Sequence, residues 1–543
     1  MLILPKDNGY QWHRLDRTAV KGHLTTPEGR LYQDDSLAVF FRDCHSVATY
    51  RRQTGSATGN WCVVTESNAS ILAAVDTVRS FPLFYTLDTQ GDLILSDDVY
   101  ALLPHCPTRE IDDLAAAEML LSAYVFGENT LIKGIKQLLP GTILSYDKQS
   151  KAIKIESYYR YRSPEQQVTA PAGLIDELDA ILLRSIRRTC NSIGDRPVIL
   201  ALSGGYDSRL VLSLLKRAEV KNIICYSYGM KGNPDSQISR QIARYYGYPW
   251  HYAEHDRRSH YEAFNSDLRR DFYRYANHLS VMAHIQDWLA VKELKERGVL
   301  PEDGVFMAGH SGDFLVGSYI PSIWKTKPVI KRNDLVDELW RQHYTLWDLP
   351  TGSWEMGELI DLLIHMAHNF VHCLKIPDEM DVFTAAAIEE EFDWQERQAK
   401  FIINATRVYE FFGHQWRIPL WDEELTGFWR GLPVKYRIDR VLYENYSRKH
   451  LPFPRLTIRG SLATRAFRKL RFKLNGYYHD ARWARFTDPS DLTAYRHAPI
   501  ASVCDPVYRY PAFIAKDKRL VDTPINAIQT LVNLKEILPI IQV

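Results

Sequence analysis

The chain has 543 residues, 45% hydrophobic and 24% charged, which is too long for one ordinary domain and too apolar for a disordered or collagen-like polymer. Its 67 Lys and Arg against 66 Asp and Glu leave a formal charge of +1, which excludes a global positive field for gripping nucleic acid or an anionic membrane. Two or three domains around sizeable cores are expected.

The first 160 residues carry short apolar, β-branched runs at 36–41, 61–65, 70–75, 83–86 and 93–96, the last two joined by a Thr-Gln-Gly-Asp turn. This pattern predicts an antiparallel sheet domain. A helix is expected over 111–124, then a glycine-rich connection through Gly127, Gly134 and Gly141 to a strand at 142–146. Residues 163–173 lack apolar periodicity and read as a linker.

Strands and helices then alternate: strand 197–202, helix 208–217, strand 222–228, helix 236–246. Such alternation predicts a parallel sheet with crossover helices. Beyond residue 256, long amphipathic helices are expected, including 273–297 and 382–412. A basic stretch over 459–473 suits a solvated surface or phosphate.

Seven cysteines, at 44, 62, 106, 190, 225, 373 and 504, lack the close pairs of a zinc ribbon or redox dithiol. They fit reduced thiols and a cytoplasmic location. No basic segment precedes an apolar run at the N-terminus, and no stretch of about 18 apolar residues occurs, so neither export nor a membrane span is expected.

The run from Val198 to Leu212 carries the chemistry: an apolar strand, the loop Ser203-Gly204-Gly205, then Asp207 and Ser208 at a helix start. Paired glycines let backbone N–H groups approach a phosphate, and the helix N-terminus adds about half a positive charge. This is neither a Walker loop nor a dinucleotide fingerprint, and a bare strand-to-helix turn capped by Asp207 or Ser208 is the plainer alternative. A second run, Gly304 to Ser318, repeats strand, small-residue loop and carboxylate at Asp313. Two carboxylates at the C-terminal ends of parallel strands suit Mg²⁺, which takes few protein oxygens besides phosphate.

The hexapeptide Ser203-Gly-Gly-Tyr-Asp-Ser resembles the pyrophosphate loop of the ATP pyrophosphatases. With the second loop, the chain resembles the asparagine synthetase family, including its relatives that make β-lactams and lasso peptides. Asp76-Thr-Val-Arg-Ser-Phe-Pro-Leu-Phe-Tyr, Leu95-Ser-Asp-Asp and the run Thr130 to Thr142 resemble its amidotransferase-like domain. Gly232-Asn-Pro-Asp-Ser, Arg417-Ile-Pro-Leu-Trp-Asp and Leu432-Pro resemble its synthetase domain. The likeness runs over about 35–460.

The fold implied is an N-terminal antiparallel β-sandwich of the Ntn type with flanking helices, over 1–162. A linker at 163–175, an α/β ATP-binding domain at 176–475 with a helical extension, and a C-terminal extension at 476–543 would follow. The resemblance implies that Ser203, Gly204, Gly205, Asp207 and Ser208 hold the pyrophosphate of ATP, with Asp207 and Asp313 on Mg²⁺. Ala201, Tyr228, Ala308 and Gly309 match positions lining the adenosine. Asp235 falls in a family loop without further role. A substrate carboxylate would attack the α-phosphorus, pyrophosphate would leave, and ammonia or an amine would displace AMP. A homodimer is compatible with this reading.

Three departures bear on function. Class II glutamine amidotransferases use a cysteine exposed after Met1 is removed; here position 2 is Leu, so this domain is expected not to hydrolyse glutamine. His310 stands where the family often has Glu, lasso-peptide cyclases resembling this chain there, and is a candidate for contacting pyrophosphate or acting as a base. The late family lysine has no clean match, leaving Arg459, Arg465 or Lys469 to supply its charge. On the segment 397–410, Arg397, Asn404 and Arg407 fall at i, i+7 and i+10, close to one helical face, on the family's acceptor side. The leading expectation is an AMP-forming, ATP-dependent amide ligase, in surface-polysaccharide or secondary-metabolite synthesis. The alternatives are a peptide cyclase or lactam synthetase, and a non-catalytic scaffold.

Overall fold

A computed structural model describes residues 1–162, 173–229, 231–256, 265–346 and 371–451, with Ser259, Glu262, Ala263, Thr530 and Ile537. In the N-terminal part, Ile153–Ser157, Thr142–Asp147, Ser70–Val75, Thr58–Glu66, Thr18–Thr25 and His13–Leu15 pair antiparallel in that order, with Leu31–Gln33 also on Thr18–Thr25. A second sheet holds Leu2–Ile3, Leu93–Ser96, Phe84–Leu87 and Lys136–Gln137. Period-2 alternation sorts the side chains. Cys62, Val64, Ile71 and Ala73 pack with Tyr85, Leu93 and Leu95 of the second sheet, whereas Val63, Leu72 and Ala74 pack under Leu37, Phe41 and Tyr50. Phe84 and Ile94 turn outward onto Val99, Leu102 and Met119. The result is two sheets between two helical layers.

Residues 36–41, expected as a strand, lie in the helix Asp34–Phe41. Asp34 and Asp35 occupy its first turn, and Gln33 and Ser36 close a capping box, so local capping outweighs the apolar run. The other expected strands stand within a residue or a few of their places, and the helix runs Asp113–Ser122.

In the second part, five strands are all parallel in the order Trp250–Glu254, Ile223–Gly229, Val198–Ala201, Val305–Met307, Gln415–Arg417. Amphipathic helices Leu174–Ile193, Tyr206–Arg217 and Pro234–Tyr246 bury their apolar residues, such as Leu182, Leu214 and Ile242, against this sheet. The chain winds one way from Val198–Ala201 to Trp250–Glu254 and the other way to Gln415–Arg417. The direction reverses between Val198–Ala201 and Val305–Met307, and the C-terminal ends of such a strand pair are where open α/β sheets place their ligands.

Two expected long helices are interrupted. His278 and Leu279, at φ 51° and 49°, separate Asp267–Asn277 from Trp288–Glu296. The 382–412 segment is helical throughout but passes from an α-helix, Val382–Phe392, through a π-helix, Asp393–Ile402, and a 3₁₀ turn, Ile403–Thr406, to Arg407–Phe411.

The two parts are bolted together by buried polar contacts. The Tyr10 hydroxyl donates to the carbonyl of Trp416 and accepts from Arg417 at 2.8 Å. Trp394 and Trp421 donate indole N–H groups to the carbonyl and hydroxyl of Thr77, at 2.6 and 3.0 Å. Lys400, fully buried, donates to the carbonyls of Val125 and Gly127 at 2.8 and 2.7 Å and to Glu396 at 2.5 Å. No helix among the described residues is long and apolar enough to cross a membrane.

Candidate functional site at the sheet crevice

The strand Val198–Ala201 delivers the first loop, and Gly205, in extended conformation, is the N-cap of Tyr206–Arg217. The loop is internally bonded: the Ser203 N–H donates to the Ser208 hydroxyl at 3.1 Å, and the Gly205 N–H donates to the Ser203 hydroxyl at 3.1 Å. Arg209 donates back to the carbonyls of Gly204 and Gly205. A side chain at Gly204 would run into the Asp235 carboxylate. Asp235, expected in a loop, lies in the first turn of the helix Pro234–Tyr246, against the glycine turn.

The second loop docks on the first through glycines. A Cβ at Gly312 would stand 2.7 Å from the Asp207 Cγ and 2.8 Å from Leu420, and one at Gly309 would stand 3.2 Å from the Asp207 backbone. A side chain at either position would press on Asp207, so glycine favours the approach. Ser311, in the left-handed region at φ 63°, turns the chain between them and donates its hydroxyl to Gln398 at 3.1 Å. Asp313 follows, exposed, accepting from the Ser318 hydroxyl at 3.5 Å.

The electrostatics follow from this packing. Burial, with Asp313 adding like charge, pushes the Asp207 carboxyl up to about 7, against a hydrogen bond from the Tyr443 hydroxyl at 2.8 Å. Two carboxylates repelling across a crevice are a donor set that a hard divalent cation satisfies. Among the described residues no group of three or more His, Cys, Asp or Glu forms a metal cluster, so the pair would leave a cation most of its positions for water and phosphate oxygens. The residues present therefore fit Mg²⁺.

Elsewhere on the sheet, the Asp287 carboxylate accepts hydroxyls from Tyr226 at 3.1 Å, Tyr228 at 2.5 Å and Tyr409 at 2.7 Å. The Tyr228 ring stacks on His255 with centroids 5.7 Å apart. Burial lowers the pKa of His310, opposed by Asp287, and its Nδ1 is buried without a hydrogen-bond partner among the described residues. Burial, with His310 as a secondary cause, pushes the pKa of the neighbouring His284 down to about 4. Ala201 ends the strand Val198–Ala201, and Ala308 directly follows its neighbour Val305–Met307.

The expected acceptor residues separate. Arg397 lines a cavity of about 570 Å³ with Tyr124, Tyr319, His343 and Phe401, donates to the Tyr319 hydroxyl at 3.2 Å, and stands 3.7 Å from Asp393. Asn404 is buried and donates to the Ala276 carbonyl at 2.8 Å. Arg407 is buried between Glu410, at 2.6 Å, and the Ser80 carbonyl at the junction of the two parts. The i, i+7, i+10 spacing assumes 3.6 residues per turn, and the π segment breaks that period between Arg397 and Arg407. Arg459, Arg465 and Lys469 lie outside the described residues. Sequence reasoning missed Asp287, Tyr409 and Tyr443. None sits in a local motif, and only an aromatic-rich composition hints at hydroxyl clusters.

A five-stranded parallel sheet with two glycine-bearing loops at its switch point, joined to a two-layered antiparallel domain, defines a mixed α/β and α+β protein. The asparagine synthase family model matches residues 177–451, half of the chain, and the chain belongs to that family. The glutamine amidotransferase domain model matches residues 53–159. A probable glutamine-hydrolysing asparagine synthetase of Acanthamoeba polyphaga mimivirus is 23% identical over 194 residues, 35% of this chain and 33% of the relative. The chain thus matches about a third of that protein's length. Among solved structures, the allosteric regulatory enzyme of purine biosynthesis aligns at 10% identity over 45% of this chain and 62% of its own, with a TM-score of 0.17. A glutamine phosphoribosylpyrophosphate amidotransferase from B. subtilis, complexed with ADP and GMP, aligns at 10% over 44% and 62%, with the same TM-score. Scores this low carry no argument.

Proposed function

We propose that this chain is an ATP-dependent amide-forming ligase that activates a substrate carboxylate by adenylation and passes it to ammonia or an amine. The observation that carries the reading is the Asp207–Asp313 pair, brought together over Gly309 and Gly312 beside the Ser203–Ser208 loop. Ser203, Gly204, Gly205 and Ser208 would hold the pyrophosphate of ATP, and Ala201, Tyr228, Ala308 and Gly309 would line its base. Asp207 and Asp313 would hold Mg²⁺, which when bound neutralises charge developing on the phosphates. His310, kept neutral by burial, is suited to accept a proton or a hydrogen bond. Arg397 would anchor the acceptor in the adjoining cavity, with a basic residue of the 459–469 stretch, Arg459 first, near the α-phosphate.

The two functional units we propose span 1–162 and 176–475, with 476–543 as an extension, and the cytoplasm as their place of work. The first unit would serve structure and acceptor shape rather than glutamine hydrolysis. Burial pushes the Cys44 thiol up to about 12 and the Cys62 thiol well above its ordinary value, which suits neither to act as a nucleophile. The same observations favour, as a second reading, a cyclase or lactam synthetase, whose internal amine needs no ammonia source. A pyrophosphate-release assay across paired carboxylates and amines tests the proposal. Release that needs both partners and vanishes in Asp207→Ala is expected, and intact ATP with every pair, in folded protein that binds ATP, overturns it.

A further inference from the structure

The helix Val441–His450 reaches the crevice from outside the sheet and carries Tyr443, buried at 4% exposure, whose hydroxyl donates to Asp207 Oδ1 at 2.8 Å. The helix is held in place independently of that bond. One turn on, Tyr446 donates to Asp179 at 2.8 Å, and His450, stacked on Tyr446, stands 3.5 Å from the same carboxylate. Asp179 belongs to the helix Leu174–Ile193 and also takes two hydrogen bonds from Arg217 at the far end of the Tyr206–Arg217 helix. The Tyr443 ring meets Tyr206 edge-on at 6.3 Å. A rigid phenol is therefore aimed at a carboxylate that already faces a second one.

We infer that Tyr443 is a positioning residue for the divalent cation of this site: its hydroxyl fixes the Asp207 carboxylate in the orientation that a cation shared with Asp313 requires. The inference rests on the reading of Asp207 and Asp313 given above. An O–H to carboxylate bond is charge-assisted and directional, so it selects one side-chain torsion. It takes one lone pair of Oδ1 and leaves Oδ2 and the second Oδ1 lone pair for a cation. Without it, repulsion from Asp313 favours turning the carboxylate away from the crevice, and each cation bound must first reverse that turn. The main loss should fall on metal affinity rather than on folding, because phenylalanine keeps the ring packing.

The test is Mn²⁺ titration of the full chain, followed by electron paramagnetic resonance, with α,β-methylene-ATP present. Tyr443→Phe should raise the Mn²⁺ Kd about tenfold, and raise the Mg²⁺ KM for pyrophosphate release more than it lowers kcat. Its melting temperature should stay close to that of the parent. Tyr446→Phe, which removes the neighbouring hydroxyl of the same helix, should leave Mn²⁺ affinity in place. Unchanged Mn²⁺ affinity in Tyr443→Phe overturns the inference, as does equal loss in Tyr446→Phe, which would assign the effect to helix anchoring. Asp207→Ala separates the two levels: if it binds Mn²⁺ like the parent, the site reading itself fails, whereas if it loses Mn²⁺ and Tyr443→Phe does not, only the role of Tyr443 fails.

Discussion

The two parts of the molecule use glycine and buried charge to opposite ends. In the N-terminal sandwich, Gly22 at φ 101° abuts Asn60 and Phe81, and the buried Asp76 carboxylate accepts backbone N–H groups from Trp61, Val78 and Ser80 at 2.7, 2.9 and 3.1 Å. These are closed arrangements, satisfied from within. At the crevice, Gly309 and Gly312 instead bring two carboxylates together and leave them mutually unfavourable. A carboxylate whose lone pairs are taken up by backbone N–H groups is tied to the fold, and one that faces a second carboxylate is poised for a ligand.

That contrast can be broken, beginning with the seam. Lys400→Met should cost about 3–5 kcal/mol in urea unfolding, since Glu396 would be left buried and unpaired; a small loss would mean that the seam is not held by this pair. Next is Asp76. Burial pushes it up to about 6, so the folded state holds a proton that the unfolded state releases near 4. Its contribution to stability is therefore present below about 4 and is lost as pH rises toward 6, by on the order of 3 kcal/mol. Asp76→Asn should flatten that part of the stability profile, and an unchanged slope would exclude Asp76 as its source. Asp207→Ala should lower pyrophosphate release about a hundredfold while unfolding no earlier than the parent, because it relieves repulsion; an early melt would place Asp207 with the internally satisfied groups. Gly22→Ala should cost about 2 kcal/mol of stability, whereas Gly204→Ala, which pushes on Asp235, should show chiefly in ATP affinity; matching stability losses would erase the distinction. Smallest is the exposed pair Lys292–Glu296, at 2.7 Å, where Lys292→Ala should change unfolding by less than about 0.5 kcal/mol.

The crevice was legible where one local rule decides. The apolar strand, paired glycines and helix start from Val198 to Ser208 read nearly the same in sequence and structure, the helix beginning two residues early at Tyr206, because strand, turn and helix are each set by local residues. Residues 36–41 misled because an apolar run of Leu, Ala, Val and Phe suits either a strand or a buried helix face, and the deciding caps are polar neighbours. Arg397, Asn404 and Arg407 were separated by a π-helix that no residue spacing announces. Tyr443 and Asp207 are 236 positions apart, and nothing in either neighbourhood names the other.

The Tyr10 contact with Trp416 and Arg417 has a further consequence in time. The sandwich leaves the ribosome first, yet one of its buried hydroxyls waits for partners 406 and 407 residues downstream. At synthesis rates of about 5–20 residues per second, that interval is roughly 20–80 s. For that long, or somewhat less at Thr77, whose partners lie 317 and 344 residues downstream, the nascent domain presents an unfinished face. Those seconds are when a chaperone would have most to shield.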